Sequence, residues 1–201
     1  MYIPSFNKFE DLQQVIAFMQ RYSFGTIVTV EEGTPVATHL PFIIKQQDNK
    51  IIIFSHFAKA NPQSSDIDKT KALVIFTEPH AYISPKNYEK EANVPTWNYL
   101  AVHAYGKCTL LDSEEQKSAL LKEMIQYYET DYLKQWDSLP EDYKHRMMNG
   151  IVAFEIVVDD LQAKKKLSQN RSEKERENII NQLSQAENSN EKDIANYMKR
   201  L

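Results

Sequence analysis

A succession of short runs rich in β-branched and aromatic residues, each closed by a turn, dominates the first half of this chain. FGTIVTV (24–30) is followed by the turn EEGTP (31–35), then VATHLPFIIK (36–45), the turn QQDN (46–49) and KIIIFSHF (50–57). Runs of this composition separated by turn residues predict an antiparallel meander. ALVIFTE (72–78) and HAYIS (80–84) read as further strands, TWNYLAVHAYGKCTLL (96–111) as a long strand bent near Gly106, and GIVAFEIVV (150–158) as the last strand. PKNYEKEANVP (85–95), polar and proline-bounded, reads as an exposed loop. About six or seven strands with helices at the margins predict a fold that is mainly β with peripheral helices, a small barrel whose closure removes exposed edges.

The helices are marked by their caps. Asn7 with Glu10 has the capping-box spacing ahead of Phe9, Leu12, Val15, Ile16 and Met19, which predicts a helix over 8–21. Ser113 with Gln116 repeats the pattern before Leu120, Leu121, Met124, Ile125 and Tyr128. Residues 132–147 read as helical or irregular, and 161–170 as a basic connection. Ser172 with Glu175 caps a helix that ends near Leu183. The expected organisation is one domain over 1–185 and a polar tail over 186–201, in which Ile194, Tyr197, Met198 and Leu201 could dock as another helical turn or two.

The chain has only 4 glycines in 201 residues, where average usage would give roughly 14. They stand apart at Gly25, Gly33, Gly106 and Gly150. The dinucleotide-binding and Walker A loops need clustered glycines so that backbone can approach phosphate, and the nucleophile elbow needs two around its serine; all three are excluded. The formal net charge of −4 argues against a dedicated nucleic-acid binder. The single Cys108 allows no internal disulfide, and no basic-then-apolar leader or span-length apolar run is present, so a cytoplasmic protein without a membrane partner is expected.

Three segments could carry chemistry. In Ser55–Ser65, Asn61 and Pro62 suit the start of a short helix whose free N–H groups, with Lys59, would attract an anion; an ordinary turn with a surface lysine explains the same residues. Lys164–Ser172 brings lysines, Arg171 and the amides of Gln169 and Asn170 to another helix start, and reads equally as a solvated basic loop. Trp97, Asn98 and Tyr99 offer an aromatic wall beside an amide, which suits a flat cofactor, core packing or a dimer face. His39, His56, His80 and His103 fall on or beside strands at no metal-ligand spacing, so no metal site is expected.

SHFAKANPQ (55–63), PHAYISP (79–85), VPTWNYLAVH (94–103) and KLSQNRS (166–172), together with the opening MYIPSF, resemble the PaiB family of FMN-binding negative transcriptional regulators. The resemblance implies an FMN-binding split β-barrel, similar to pyridoxamine phosphate oxidases, in which a homodimer holds flavin sites at its interface. Carried over, it sets Thr38, His39 and Pro41 beside the isoalloxazine and His56, Lys59 and Asn61 near the phosphate and ribityl chain. Trp97, Asn98 and Tyr99 would border the ring or the interface, and Lys166, Gln169 and Arg171 would close the site from the partner chain. The phosphate would then rest on Lys59, Arg171 and the helix starts after Asn61 and Ser172. The implied function is negative transcriptional regulation of the protease-production and sporulation type, with FMN-dependent oxidoreductase or flavin reductase as the alternative. Catalytic residues remain unassigned. DNA contact, which the charge does not favour, would fall on the lysine–arginine segment 162–176.

Overall fold

Strand β1 (Phe24–Glu31) buries Ile27 and Thr29 while the side chains between them face outward, and β4 (Lys50–Ala58) buries Ile51, Ile53, Ser55 and Phe57 in the same alternation. These strands belong to a computed structural model that describes residues 1–201. The chain divides into two units. A sheet unit comprises 16–75 and 104–161, and a terminal unit comprises 1–15, 76–103 and 162–201.

In the sheet unit, β1 pairs antiparallel with β2 (Thr34–Pro41) through a turn in which Glu32 and Gly33 take positive φ. β3 (Ile43–Gln47) pairs with β4. With β5 (Lys71–Phe76), β7 (Thr96–Leu110) and β8 (Ile151–Lys166), the sheet order is β2-β1-β5-β7-β8-β4-β3; β6 is described with the terminal unit. The single strand expected over 36–45 is divided at Phe42. Pro41 cannot donate to a ladder; the Phe42 N–H still bonds the Ser23 carbonyl beside β1 at 2.9 Å, and from Ile43 onward the chain pairs with β4 instead. Gly106 sits where β7 passes β8: a Cβ there would lie 2.3 Å from the Val157 carbonyl oxygen. Helix α2 (Glu114–Tyr128) has the predicted Ser113/Gln116 capping box and packs Leu120 and Met124 on Ile43, Leu111 and Ala153. Residues 132–147 resolve into α3 (Tyr132–Ser138) and α4 (Glu141–Asn149).

In the terminal unit, β6 (His80–Ile83) pairs with the start of β7 from His80↔Tyr99 to Ile83↔Thr96. Helix α5 (Glu173–Ser184) begins at Ser172, whose hydroxyl accepts from the Glu175 N–H. Helix α6 (Ser189–Met198), capped by Asn188, packs on α5 and β6 and buries Ile194, Ala195 and Met198. The first helix, α1 (Leu12–Arg21), starts four residues later than the 8–21 expectation. Lys8 forms a β-bridge with Lys164 and the Phe9 N–H bonds the Ala163 carbonyl, which keeps the chain extended; Asp11, accepting from the Gln14 N–H at 3.1 Å, is the cap instead of Asn7. β8 runs on to Lys166, through much of the segment expected as a basic connection, and the Lys8 bridge meets it at Lys164. The 85–95 loop is not exposed throughout: its opening turn, Pro85–Asn87, is capped by Ser84, and Asn87 and Tyr88 are buried. No helix is long and apolar enough to cross a membrane.

Candidate functional site

The residues singled out for cofactor binding fall half in each unit. In the sheet unit, Thr38 and Asn61 meet around a residue that the sequence reading quoted but did not select, Gln63. Thr38 Oγ1 donates to Gln63 Oε1 at 2.6 Å and accepts from Asn61 Nδ2 at 3.0 Å. Asn61 Oδ1 accepts the Gln63 N–H at 3.0 Å, which caps the 3₁₀ turn Pro62–Asp66. Gln63 Nε2 then ties this turn to the β1–β2 hairpin through Thr29 Oγ1 at 3.0 Å and the Val36 carbonyl at 3.2 Å. The signal was the adjacent Asn-Pro-Gln: a cap, a first-turn proline and an amide long enough to reach back.

His39 faces away from this network, because neighbours on a strand point to opposite faces. Its Nδ1 lies 2.9 Å from Thr26 Oγ1, and its ring stacks on Phe24 with centroids 6.4 Å apart. Pro41 contributes its carbonyl, which accepts from Ser55 Oγ at 2.7 Å. The Lys59 N–H bonds the Gly150 carbonyl at 2.8 Å, and its side chain is exposed. His56, opposite Ala153 in the β4–β8 register, is partly buried; its Nδ1 is enclosed without a protein partner, and burial holds its pKa below the ordinary value.

In the terminal unit, Trp97 is 52% exposed and gathers His80 and Tyr82, each with a ring centroid 5.8 Å from its own. Asn98 is fully buried, its Oδ1 accepting from Ser168 Oγ at 3.0 Å and its Nδ2 donating to Met198 Sδ at 3.5 Å. Both ends of that amide are therefore committed to holding the Ser168 turn and α6. Gln169 folds onto its own turn, accepting from the Leu167 N–H at 2.7 Å and donating to the Lys165 carbonyl, while Ser168 takes the left-handed φ of 60°. The Arg171 guanidinium lies 3.8 Å from the Tyr88 ring centroid and donates to Asn93 Oδ1 at 2.9 Å.

Lys166 donates to the Trp97 carbonyl at 2.6 Å and to Thr96 Oγ1. Burial, then the neighbouring charges of Lys164 and Arg171, draw its pKa below the usual lysine value. Lys164, one strand period away, is 8% exposed; it donates to the Tyr2 carbonyl at 3.2 Å and its ammonium lies 5.1 Å from the Tyr99 ring centroid. Lys165, on the opposite face, sits over Phe9 instead. Lys164, Lys166 and Arg171 line a cleft of about 320 Å³ together with Tyr2, Phe6 and Thr96, and its lining includes no carboxylate. Sequence reasoning missed Lys164 and Tyr2, although both lie in segments it had marked. The helix starts are less inviting than expected. The turn after Asn61 is five residues long, and the start of α5 already carries Glu173 and Glu175, with Ser172 Oγ bonded to Glu89.

The family model described as "Putative FMN-binding domain" matches residues 1–160, and the chain belongs to that family, whose cofactor is FMN. Its fold is the split β-barrel of flavin-binding proteins. The chain is 44% identical to the "Protease synthase and sporulation protein PAI 2" of Bacillus subtilis (strain 168), with 99% of this chain and 97% of the relative covered. It is 30% identical to an uncharacterized protein of Emericella nidulans, with 81% and 80% covered. Among solved structures it resembles the FAD and heme binding protein from Mycobacterium smegmatis at a TM-score of 0.62 and 12% identity, covering 78% of this chain and 71% of that one. The flavocytochrome Anf3 from Azotobacter vinelandii matches at 0.61 and 13%, with 78% and 67% covered. At these identities the structural matches bear on fold alone.

The donor set fits FMN. A phosphate dianion calls for cations in a concavity, which Lys164 and Lys166 supply in the terminal unit beside Arg171, itself 3.9 Å from Glu175; in the sheet unit, His56 Nδ1 is an enclosed polar atom without a protein partner. When bound, FMN supplies one- and two-electron redox chemistry, and the protein's part is to hold, orient and tune it.

Proposed function

We propose that this protein is a flavin-binding homodimer that acts as a negative transcriptional regulator of the protease-production and sporulation type. The observation that carries the reading is the 44% identity across 99% of the chain to the Bacillus subtilis protease synthase and sporulation protein. Thr38, His39, Pro41, His56, Lys59 and Asn61 from the sheet unit, and Trp97, Tyr99, Lys166 and Arg171 from the terminal unit, are the side chains proposed to contact the flavin. Asn98 and Gln169 support them by fixing the Ser168 turn. Exposed aromatic residues, Trp97 and Tyr82 in one unit and Phe24 in the other, favour burial against a second copy. With a net charge of −4, repression runs through a protein partner rather than through operator contact by this chain alone.

Two measurements on the purified protein test the reading. The visible spectrum after FMN addition and gel filtration is expected to keep a bound-flavin absorbance; its loss removes the cofactor from the proposal. An electrophoretic shift assay at low salt with DNA from upstream of its own gene is expected to show no complex, and a retarded band would replace the partner-mediated route with direct recognition.

A further inference from the structure

We propose that residues 89–95 form a clasp that opens separately from the rest of the terminal unit, and that its opening uncovers the ammonium of Lys166 in the cleft. The opening belongs to this chain alone; that it admits a ligand rests on the flavin-binding reading.

The segment is anchored at both ends and bare between them. Tyr88 ahead of it is 8% exposed, and Asn98 shortly beyond it is fully buried. From Glu89 to Pro95 every residue is exposed except Asn93, which is half-buried, and Val94 stands 73% exposed. The segment buries no apolar side chain, so lifting it away removes nothing from a core. Stretches with few buried apolar contacts and solvent-exposed hydrogen bonds open at the low end of a protein's stability range, and the lids of clefts are drawn from them.

What closes the segment is polar and comes from the start of α5. The Glu89 N–H donates to Glu175 Oε1 at 3.0 Å. The Glu89 carboxylate accepts from Ser172 Oγ at 3.2 Å and pairs with Lys174 at 3.1 Å. Lys174, and then Ser172, hold the Glu89 carboxyl below its ordinary pKa. Asn93 Oδ1 accepts from Arg171 Nη1 at 2.9 Å. Both partners of the ion pair are largely exposed, a setting in which such a pair adds little and is screened by salt.

The hinges follow from what is fastened harder. Asn87 donates to Gln182 Oε1 at 2.6 Å, its carbonyl accepts from Asn178 Nδ2 at 3.2 Å, and the Tyr88 ring lies under the Arg171 guanidinium. The first hinge therefore falls after Tyr88. At the far end Lys166 donates to Thr96 Oγ1 and to the Trp97 carbonyl, which sets the second. Val94, Pro95 and Thr96 line the cleft that holds Lys166, so a swing of 89–95 away from α5 moves that wall.

The test reads Lys166 itself. Acylation by the N-hydroxysuccinimide ester of acetic acid is followed by peptide mass spectrometry on the full chain without ligand. The unaltered protein is compared with Glu89→Gln and Lys174→Met, thermal melts check each fold, and Lys144, buried in the sheet unit, is the reference. Both variants are expected to acylate Lys166 about threefold faster or more, with Lys144 unchanged. The double variant is expected to be no faster than the quicker single one, since the two side chains share one contact. Sodium chloride at about 1 M is expected to speed Lys166 in the unaltered protein but not in Glu89→Gln, which keeps the comparison decisive if Lys174→Met lowers the melting midpoint. Equal rates in all proteins, or an acceleration that Lys144 shares, overturns the clasp. FMN association, followed by flavin fluorescence on mixing, is expected to quicken in the same variants. Faster Lys166 labelling with no FMN binding leaves the clasp and removes the flavin reading. Faster labelling with FMN binding at an unchanged rate overturns the clasp as the ligand's entrance. Unchanged labelling with FMN bound removes the clasp and leaves the flavin reading.

Discussion

His56 shows how much a single side chain can reveal about this site. It lies on a strand whose alternation was plain from the sequence, yet nothing in the sequence says that its Nδ1 is enclosed without a partner. Burial holds its pKa below the ordinary value of 6.5, so the unfolded chain takes up a proton that the folded chain refuses. The resulting stability is full above the unfolded value and is lost as pH falls through it. His103 acts in the same direction, through burial first and the N-terminal charge second. His56→Gln is therefore expected to show a shallower loss of stability as pH falls below 6.5, read from urea transitions; an unchanged pH slope would dissociate His56 from that loss. The roles of Asn98 and Gln169 were hidden for a related reason. An amide reads the same in sequence whether it is free to meet a ligand or already occupied at both ends, as Asn98 is by Ser168 and Met198.

Among the elements, the caps and the alternating runs were legible because each is a local signal. Ser113, Asn61 and Ser172 all bond the backbone they were expected to bond. Extents were less legible, because non-local pairing sets them. The bridge from Lys8 to Lys164 keeps the chain ahead of α1 extended, and the lysine run that resembles a solvated loop lies in β8, with Lys164 and Lys166 on one face and Lys165 on the other. At Gly106, where a bend was expected, the structure shows a close approach of two strands. Gly106→Ala would put a methyl group 2.3 Å from the Val157 carbonyl, and the backbones of β7 and β8 would have to separate. The expected cost is about 1–3 kcal/mol in urea denaturation, with faster amide exchange in both strands. A variant as stable as the parent would mean that β8 yields there freely.

For the molecule as a whole, the fold class was readable and the arrangement into units was not, since each unit is assembled from separated stretches of chain. The proposed dimer belongs to this scale. Light scattering is expected to give twice the chain mass, and Trp97→Ser with Tyr82→Ser to shift the population toward single chains without lowering the thermal midpoint of the monomer. A monomeric parent protein would remove the dimer and would require each flavin to be held by one chain. The interleaving also sets an order of manufacture. A ribosome releases the last residue of the sheet unit at Leu161, when the terminal unit still lacks Gln162–Leu201. Those late residues carry Lys164, Lys166, Arg171 and the two helices that brace them. A nascent chain stalled before them could complete its sheet unit while the terminal unit still lacked its cationic cleft and both helices, so the terminal unit would be the later of the two to close.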